Sequence, residues 1–557
     1  MADNLKFVQN VLEFLDRTVQ VVKASFGPNG LDCLVSTTSG KMLMTNDGHA
    51  IIKSLSFGNV FGKLCYNGMV KSGNFSKKFM LLLKEMLSEV ASIEAVKDVA
   101  SIKQTLTISH GMKYLALSVL PGVFNDLKDS GVIAHCFEDG SNINWFMKAI
   151  LRTTIDGKFN PNICTILVDI LSQLLFEENA LQSFKLIQVR ISDVLDNFNE
   201  AVWEVPGKPF TCSTILQGVL LPRQFLTMVK ILPKPKDEKF FKFVIYECAI
   251  DYEDTLGNTI FSVQERNQIE KILLWKQEFV LNIIRVFVSH NIQLVLTSKK
   301  LGETFVNACN QNSIAAIHLI PEEDIAKISQ VFNLSPIFDM NDLPMHIAMA
   351  TSCKSMQVGL HTYVQLMSEE IHTKQIILFA PNESFCHQYS MALKSMLRSL
   401  QSCIKQTSSG CQCFMSYVPG GGAFELAFSH VLEQYRKKYS SNTSLNLAIE
   451  ILEKSLLAIP RELIRNSSCK LNMFHLKAQT RQCLIKGHPL LGIDRSGNFI
   501  PIVKKGVLEP TMANYDLIYS VLQLFIQIIQ TDKVLFVKKL PSKKETEDNS
   551  SDDEDDK

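Results

Sequence analysis

Two turns near the start of the chain limit what it can fold into more than any other feature. The first is Phe26-Gly27-Pro28-Asn29-Gly30-Leu31-Asp32. The second is Met44-Thr45-Asn46-Asp47-Gly48-His49-Ala50-Ile51. Proline fixes its own φ, and the glycines around it reach backbone conformations closed to other residues. The first segment therefore makes a tight turn whose N–H groups face outward. Beside a helix end, such a turn is a site for phosphate. Asn46-Asp47-Gly48 is turn chemistry as well, with a carboxylate at its tip. A carboxylate beside a phosphate-binding turn holds Mg²⁺ or orients a water. Either turn alone also reads as ordinary loop punctuation. Together, at this spacing, they point to something specific, a phosphate-type site at Gly27, Pro28, Asn29, Gly30, Thr45, Asn46, Asp47 and Gly48.

The surrounding pattern is regular. Residues 5–25 carry Phe7, Val8, Val11, Leu12, Leu15, Val19 and Val22 at helical spacing. Val35 to Thr38 and Lys41 to Thr45 read as a hairpin turning at Ser39-Gly40, and helical character resumes at Ile51. Ser72-Gly73-Asn74-Phe75-Ser76-Lys77-Lys78 then leads into an apolar helix from Phe79 to Val90. Lys77 reads as an exposed lysine at a helix start, with point-charge attraction for phosphate as the alternative. Residues 80–200 are mostly amphipathic helices.

From residue 205 short apolar strands take over. Thr214 to Leu221, Phe241 to Ile250, Gln293 to Thr297 and Ile314 to His318 read as strands. Ile269 to Val288, Thr304 to Cys309 and Pro321 to Phe332 read as helices. Strand and helix alternating at this spacing predict a βαβ layer. Gln375 to Phe379 is a further buried strand, followed by a helix through His387 to Leu397. Val418-Pro419-Gly420-Gly421-Gly422-Ala423-Phe424-Glu425 opens another helix with three glycines, which let the backbone approach a ligand closely. The last helix runs from Tyr515 to Gln530, and Asp532-Lys533-Val534-Leu535-Phe536-Val537 follows.

Composition narrows the function classes. The chain has 557 residues, 46% hydrophobic and 20% charged, enough for several domains with a large core. A net charge of +1 gives no general pull toward nucleic acid or membrane. No uninterrupted apolar run reaches the roughly 18 residues of a spanning helix, and the first residues lack a signal-peptide pattern. A cytoplasmic or nuclear location is expected. The 14 cysteines are scattered and read as reduced, half-buried small hydrophobes. Cys411-Gln412-Cys413 has no second ligand pair at zinc spacing, and the 12 histidines form no metalloprotease pattern, so no metal site is expected.

The two turns, the Gly420-Gly421-Gly422 segment, Ala458-Ile459-Pro460-Arg461-Glu462-Leu463, Gly492-Ile493-Asp494 and Gly506-Val507-Leu508-Glu509-Pro510 occur in the order found in group II chaperonins. The chain resembles that superfamily, which includes the cytosolic chaperonin and the thermosome, over residues 5–538. The resemblance implies a mixed α/β, mainly helical fold of three domains. An equatorial domain would come from 1–140 and 401–540, an intermediate domain from 141–205 and 358–400, and an apical domain from 206–357. Residues 252–272 would form the built-in lid, and 541–557 a disordered acidic tail. The resemblance also adds Gly73, Gly420, Gly421 and Gly422 to the nucleotide-binding residues.

The catalytic pattern is broken. Where active members carry Gly-Asp-Gly-Thr-Thr, this chain has Gly73-Asn74-Phe75-Ser76-Lys77. A neutral Asn is a weak ligand for a hard cation. The water-activating Asp falls at Ser395, and no Asp or Glu occurs from Ser384 to Phe424. Asn466-Ser467-Ser468 replaces Asn-Ala-Gly, and a nucleotide-contacting Asp falls at Pro501. Asp47 is left as a vestigial catalytic candidate. ATP is expected to bind weakly if at all, Mg²⁺ is not expected to be held, and ATP turnover is expected to be lost.

Degenerate chaperonin chains point to the chaperonin-like Bardet–Biedl syndrome proteins. The segments from Ser313 to Pro336, Gly420 to Glu425 and Ser520 to Val534 are most similar to the tenth-numbered type, with the sixth as competitor. That resemblance implies a role in assembling the ciliary Bardet–Biedl coat complex (the BBSome). The partners implied are cytosolic chaperonin subunits, sister Bardet–Biedl proteins and coat-complex subunits, with a location extending to the ciliary base or centrosome. Neither nucleic acid nor membrane insertion is implied. Two alternatives stand beside it: an active ATP-dependent chaperonin ring subunit that folds cytosolic proteins, and a regulatory subunit that silences one ring position.

Overall fold

In the computed structural model, residues 2–36, 42–55, 60–70, 75–97, 102–137, 143–175, 184–228, 231–232, 240–248, 266–358, 361–368, 374–406, 413–467 and 471–531 are described. The fold is the three-domain group II chaperonin fold. Its buried apolar side chains fall into separate clusters that the chain enters, leaves and re-enters.

The largest cluster joins the two ends of the chain. Val8, Val11, Leu15, Val19 and Val22 of the helix Ala2–Ala24 pack with the helix Ser76–Lys97, and with Phe424, Phe428, Leu522 and Phe525 from more than 300 residues later. The helix Thr511–Gln530 has the length and apolar composition of a membrane span, which reading for uninterrupted apolar runs did not register. Its Leu517, Val521, Leu522, Phe525 and Ile528 are buried among the other helices of this cluster, so its apolar side chains are accounted for by the core.

A second cluster joins helices of 143–196 to the strand Lys374–Ala380 and the helix Glu383–Cys403. Two more lie between residues 219 and 366. There the strands Ala315–Ile317, Ile292–Leu296, Phe241–Ile245 and Ala348–Ala350 form one sheet in that order. The first three are mutually parallel and the last is antiparallel. The helix Glu303–Gln311 connects two of them, giving the expected βαβ layer. The strand expected to run from Phe241 to Ile250 ends at Ile245, where Tyr246 bridges to Ile337 instead.

One strand organises the junction of the first two clusters. Cys413–Pro419 pairs with Ile404–Gln406, with Ala134–Phe137 and with Leu508–Pro510, all antiparallel. It leads into Gly420-Gly421-Gly422, of which Gly421 and Gly422 line the same cleft as the N-terminal turns. The turn at Ser39-Gly40, most of the expected lid (251–265), Cys411, Ser468, the segment 532–537 and the acidic tail lie outside the described residues.

Candidate nucleotide site

The first turn closes with the Gly30 N–H donating to the Gly27 carbonyl at 3.1 Å. Asn46 then ties the two turns together. Its Nδ2 donates to the carbonyls of Gly30 (3.1 Å) and Leu31 (3.4 Å), and to that of Gly157 (3.4 Å) just beyond the helix Ile143–Ile155. Gly157 sits at φ +83°, and a Cβ there would lie 2.6 Å from the Pro28 Cα. Only glycine lets this loop rest on the first turn. From the other side, Asn466 Nδ2 donates to the carbonyls of Lys23 (2.7 Å) and Phe26 (2.8 Å), and Asn29 Nδ2 to that of Arg495 (2.8 Å).

The result is a cleft of about 420 Å³. Gly27 and Pro28 from the first turn line it, as do Asn46, Asp47 and Gly48 from the second and Gly421 and Gly422 from the glycine segment. Gly421 and Gly422 have φ +62° and +79°, which turns the chain sharply into the helix Ala423–Lys438. Four expected residues are not on its lining: Asn29, Gly30, Thr45 and Gly420. Thr45 Oγ1, for example, accepts from the Asp47 N–H at 3.0 Å. Gly73 and Asn74 lie outside the described residues.

Asp47 is already engaged. Its Oδ2 accepts from the Ala50 N–H at 3.1 Å, capping the helix Gly48–Leu55, and its Oδ1 lies 3.3 Å from Lys158 Nζ. Burial raises the Asp47 carboxyl, but Lys158, the Ala50 N–H and His49 outweigh it and hold it below the ordinary carboxylate range.

Lys77 is the largest departure from the sequence expectation. It is not an exposed helix-start lysine. Its ammonium turns into the cleft and donates to the Ser25 carbonyl and to Asn46 Oδ1. Among the described residues it has no carboxylate within ion-pair distance. Burial, and then the neighbouring Lys158, draw it down to about 7 against the weaker pull of Asp47, Cys33 and Asp32.

Lys78, one position on, is fully committed. Its Nζ lies 2.7 Å from Glu425 Oε1 and 2.6 Å from Glu509 Oε2, and Asn514 Nδ2 donates to Glu509 Oε2 at 3.1 Å. Burial alone would lower the Lys78 ammonium; the two carboxylates more than reverse that and raise it. Burial pushes the Glu425 carboxyl up further than Lys78 pulls it down.

Ser395 lines the cleft from the helix Glu383–Cys403, with Ser399 one turn on. The carboxylates on the lining are Asp47, Asp156, Asp494 and Glu509. Asp47 and Glu509 are paired with lysines. Asp494 Oδ1 accepts from the Asn498 N–H at 2.7 Å, closing its own turn. Asp156 has no ion pair or side-chain hydrogen bond among the described residues. Sequence reading passed over Asp156, and took Gly157-Lys158 only as part of a segment, with Ile150 to Thr154, that resembles the opening of the intermediate domain in the chaperonin family.

The lining carries Lys77, Lys78, Arg152, Lys158, Arg495 and Lys505 against those four acids. The balance suits an anion. Among the described residues no three His, Cys, Asp or Glu side chains converge at metal-binding distance, and the carboxylate at the phosphate-type turns, Asp47, is paired with Lys158, a pair that a divalent cation there would have to displace.

The TCP-1/cpn60 chaperonin family model matches residues 19–539. The chain is 22% identical to thermosome subunit alpha of Archaeoglobus fulgidus over 548 residues, covering 96% of this chain and 93% of that one. It is 21% identical to T-complex protein 1 subunit gamma of Encephalitozoon cuniculi over 555 residues, 96% of each chain. It is 20% identical to thermosome subunit beta of Thermoplasma acidophilum over 528 residues, 93% and 90%. On this coverage the chain belongs to the TCP-1/cpn60 chaperonin family.

Proposed function

We propose that this chaperonin-family chain assists the folding or assembly of a multi-subunit complex without turning ATP over. The observation that carries the reading is Ser395 at the cleft wall, on a stretch from Ser384 to Phe424 that contains no acid. A hydroxyl with a pKa far above 7 cannot accept the proton of an attacking water, and a positioned general base is worth roughly 10²–10⁴ in rate. Nucleotide would sit on the glycine turns, its base against the apolar wall of Ile459, Leu463 and Ile493, and remain intact.

The proposed client is the ciliary Bardet–Biedl coat complex, with cytosolic chaperonin subunits and sister Bardet–Biedl proteins as partners, in the cytoplasm near the ciliary base. This rests on the segments Ser313 to Pro336, Gly420 to Glu425 and Ser520 to Val534. Partnership with chaperonin subunits is also in keeping with relatives that are named as subunits of larger assemblies.

One observation favours the alternative of an active ring subunit: the unpaired carboxylate of Asp156 on the cleft lining. Phosphate release from Mg²⁺-ATP by the purified chain decides between them. The proposal expects release indistinguishable from buffer. Turnover abolished by Asp156→Asn or Asp47→Ala would instead establish the active subunit.

A further inference from the structure

A chaperone cleft that has lost its metal carboxylate still needs something to offset the charge of a polyphosphate. Within the reading of the cleft as a nucleotide site, we propose that Lys77 supplies that charge from inside the protein. On this proposal the site takes the phosphate tail of a nucleoside di- or triphosphate free of divalent metal.

Four observations converge on this. First, the Lys77 ammonium lies in the cleft beside the turn that begins at Gly27, held by the Ser25 carbonyl and Asn46 Oδ1, both uncharged. Its positive charge has hydrogen bonds but, among the described residues, no carboxylate within ion-pair distance. A buried ammonium in this state is destabilised until an anion arrives. Second, Lys78 cannot serve the same purpose, because Glu425 and Glu509 already hold it. Third, Lys158 pairs with Asp47, the carboxylate that would otherwise compete with phosphate for Lys77 or recruit a cation beside it. Fourth, Arg152, Arg495 and Lys505 add positive charge to the rest of the lining.

The geometry also explains why a metal would be unwelcome. A divalent ion near the second turn would have to displace Lys158 from Asp47 and sit in the field of both lysines. A compact ammonium on a long stem offers three donors to phosphate oxygens without either cost.

The test is calorimetric titration of the full-length protein with ADP and with ATP, once in excess EDTA and once in excess MgCl₂. The proposal expects binding in EDTA at least as tight as in Mg²⁺, and a loss of about tenfold or more for Lys77→Met, as follows when a charge-assisted contact is removed. Binding that requires Mg²⁺ would overturn the proposal while leaving the nucleotide-site reading intact. No binding under either condition would overturn both, yet leave an assembly role without nucleotide standing. Wild-type affinity retained by Lys77→Met would overturn the role of Lys77. The comparison of EDTA with Mg²⁺ uses the unaltered protein, so the metal question is answered even if the Lys77 variant fails to fold. Inorganic tripolyphosphate as competitor reads the phosphate contacts alone; displacement of ADP by it in EDTA is expected, and failure to displace would count against the proposal.

Discussion

An ammonium taken out of water keeps its charge only where something replaces the lost solvation. At Lys77 two neutral acceptors do part of this and no carboxylate does the rest, which is why it is drawn down to about 7. Two consequences follow, with definite signs. In the anion-free cleft the lysine loses its proton as pH rises through about 7, whereas a bound phosphate keeps it protonated. Nucleotide affinity should therefore fall between pH 7 and 9, by up to about tenfold per unit, and the slope should flatten in Lys77→Met. A titration series at constant ionic strength measures it; a flat profile in the native protein would contradict the assignment. For folding, the native value lies below the 10.5 of the free side chain, so between about 7 and 10.5 the unfolded chain binds more protons. This group's contribution to stability is therefore lowest below pH 7 and rises across that window.

At the scale of elements, the start of the helix Ser76–Lys97 is tied to the helix Ala423–Lys438 and to the strand Leu508–Pro510 by Lys78, Glu425 and Glu509. Lys78→Met leaves two buried carboxylates facing each other. Removing one partner of a buried ion pair costs about 3–5 kcal/mol. The lowest unfolding transition in urea should move accordingly. Lys84→Met, which removes a more exposed partner of Asp16 at 3.4 Å, should cost under about 1 kcal/mol. Equal effects of the two would show that the Lys78 network is not what joins these elements. This network also marks the limit of sequence reading. The helices and strands were legible because each declares its period within a dozen residues, and the glycine turns because glycine and proline dictate backbone locally. Lys78 reaches carboxylates 347 and 431 residues away, and nothing in its neighbourhood announces them. Lys77 was misplaced for the same reason. The groups that hold it, the Ser25 carbonyl and Asn46, lie 52 and 31 residues back along the chain.

At the scale of the molecule, the chain leaves its largest core near residue 133, builds the others, and returns to it at Val418. The cleft lies where the outgoing and returning segments meet, so its state is coupled to how those cores sit on each other. Its family was legible in the order of glycine segments along the whole chain. The loss of turnover is inferred from single positions, Asn74 and Ser395, that only comparison with the family pattern makes meaningful. On the proposed reading, a chaperonin-family protein that does not spend ATP still offers surfaces to partners, and partners are where the account is most exposed. The most direct measurement is affinity purification of the tagged protein from ciliated cells with mass spectrometry of what accompanies it. The account predicts cytosolic chaperonin subunits together with subunits of the ciliary coat complex. Recovery of this chain alone, in a ring-sized particle, would contradict it and identify an independent folding machine.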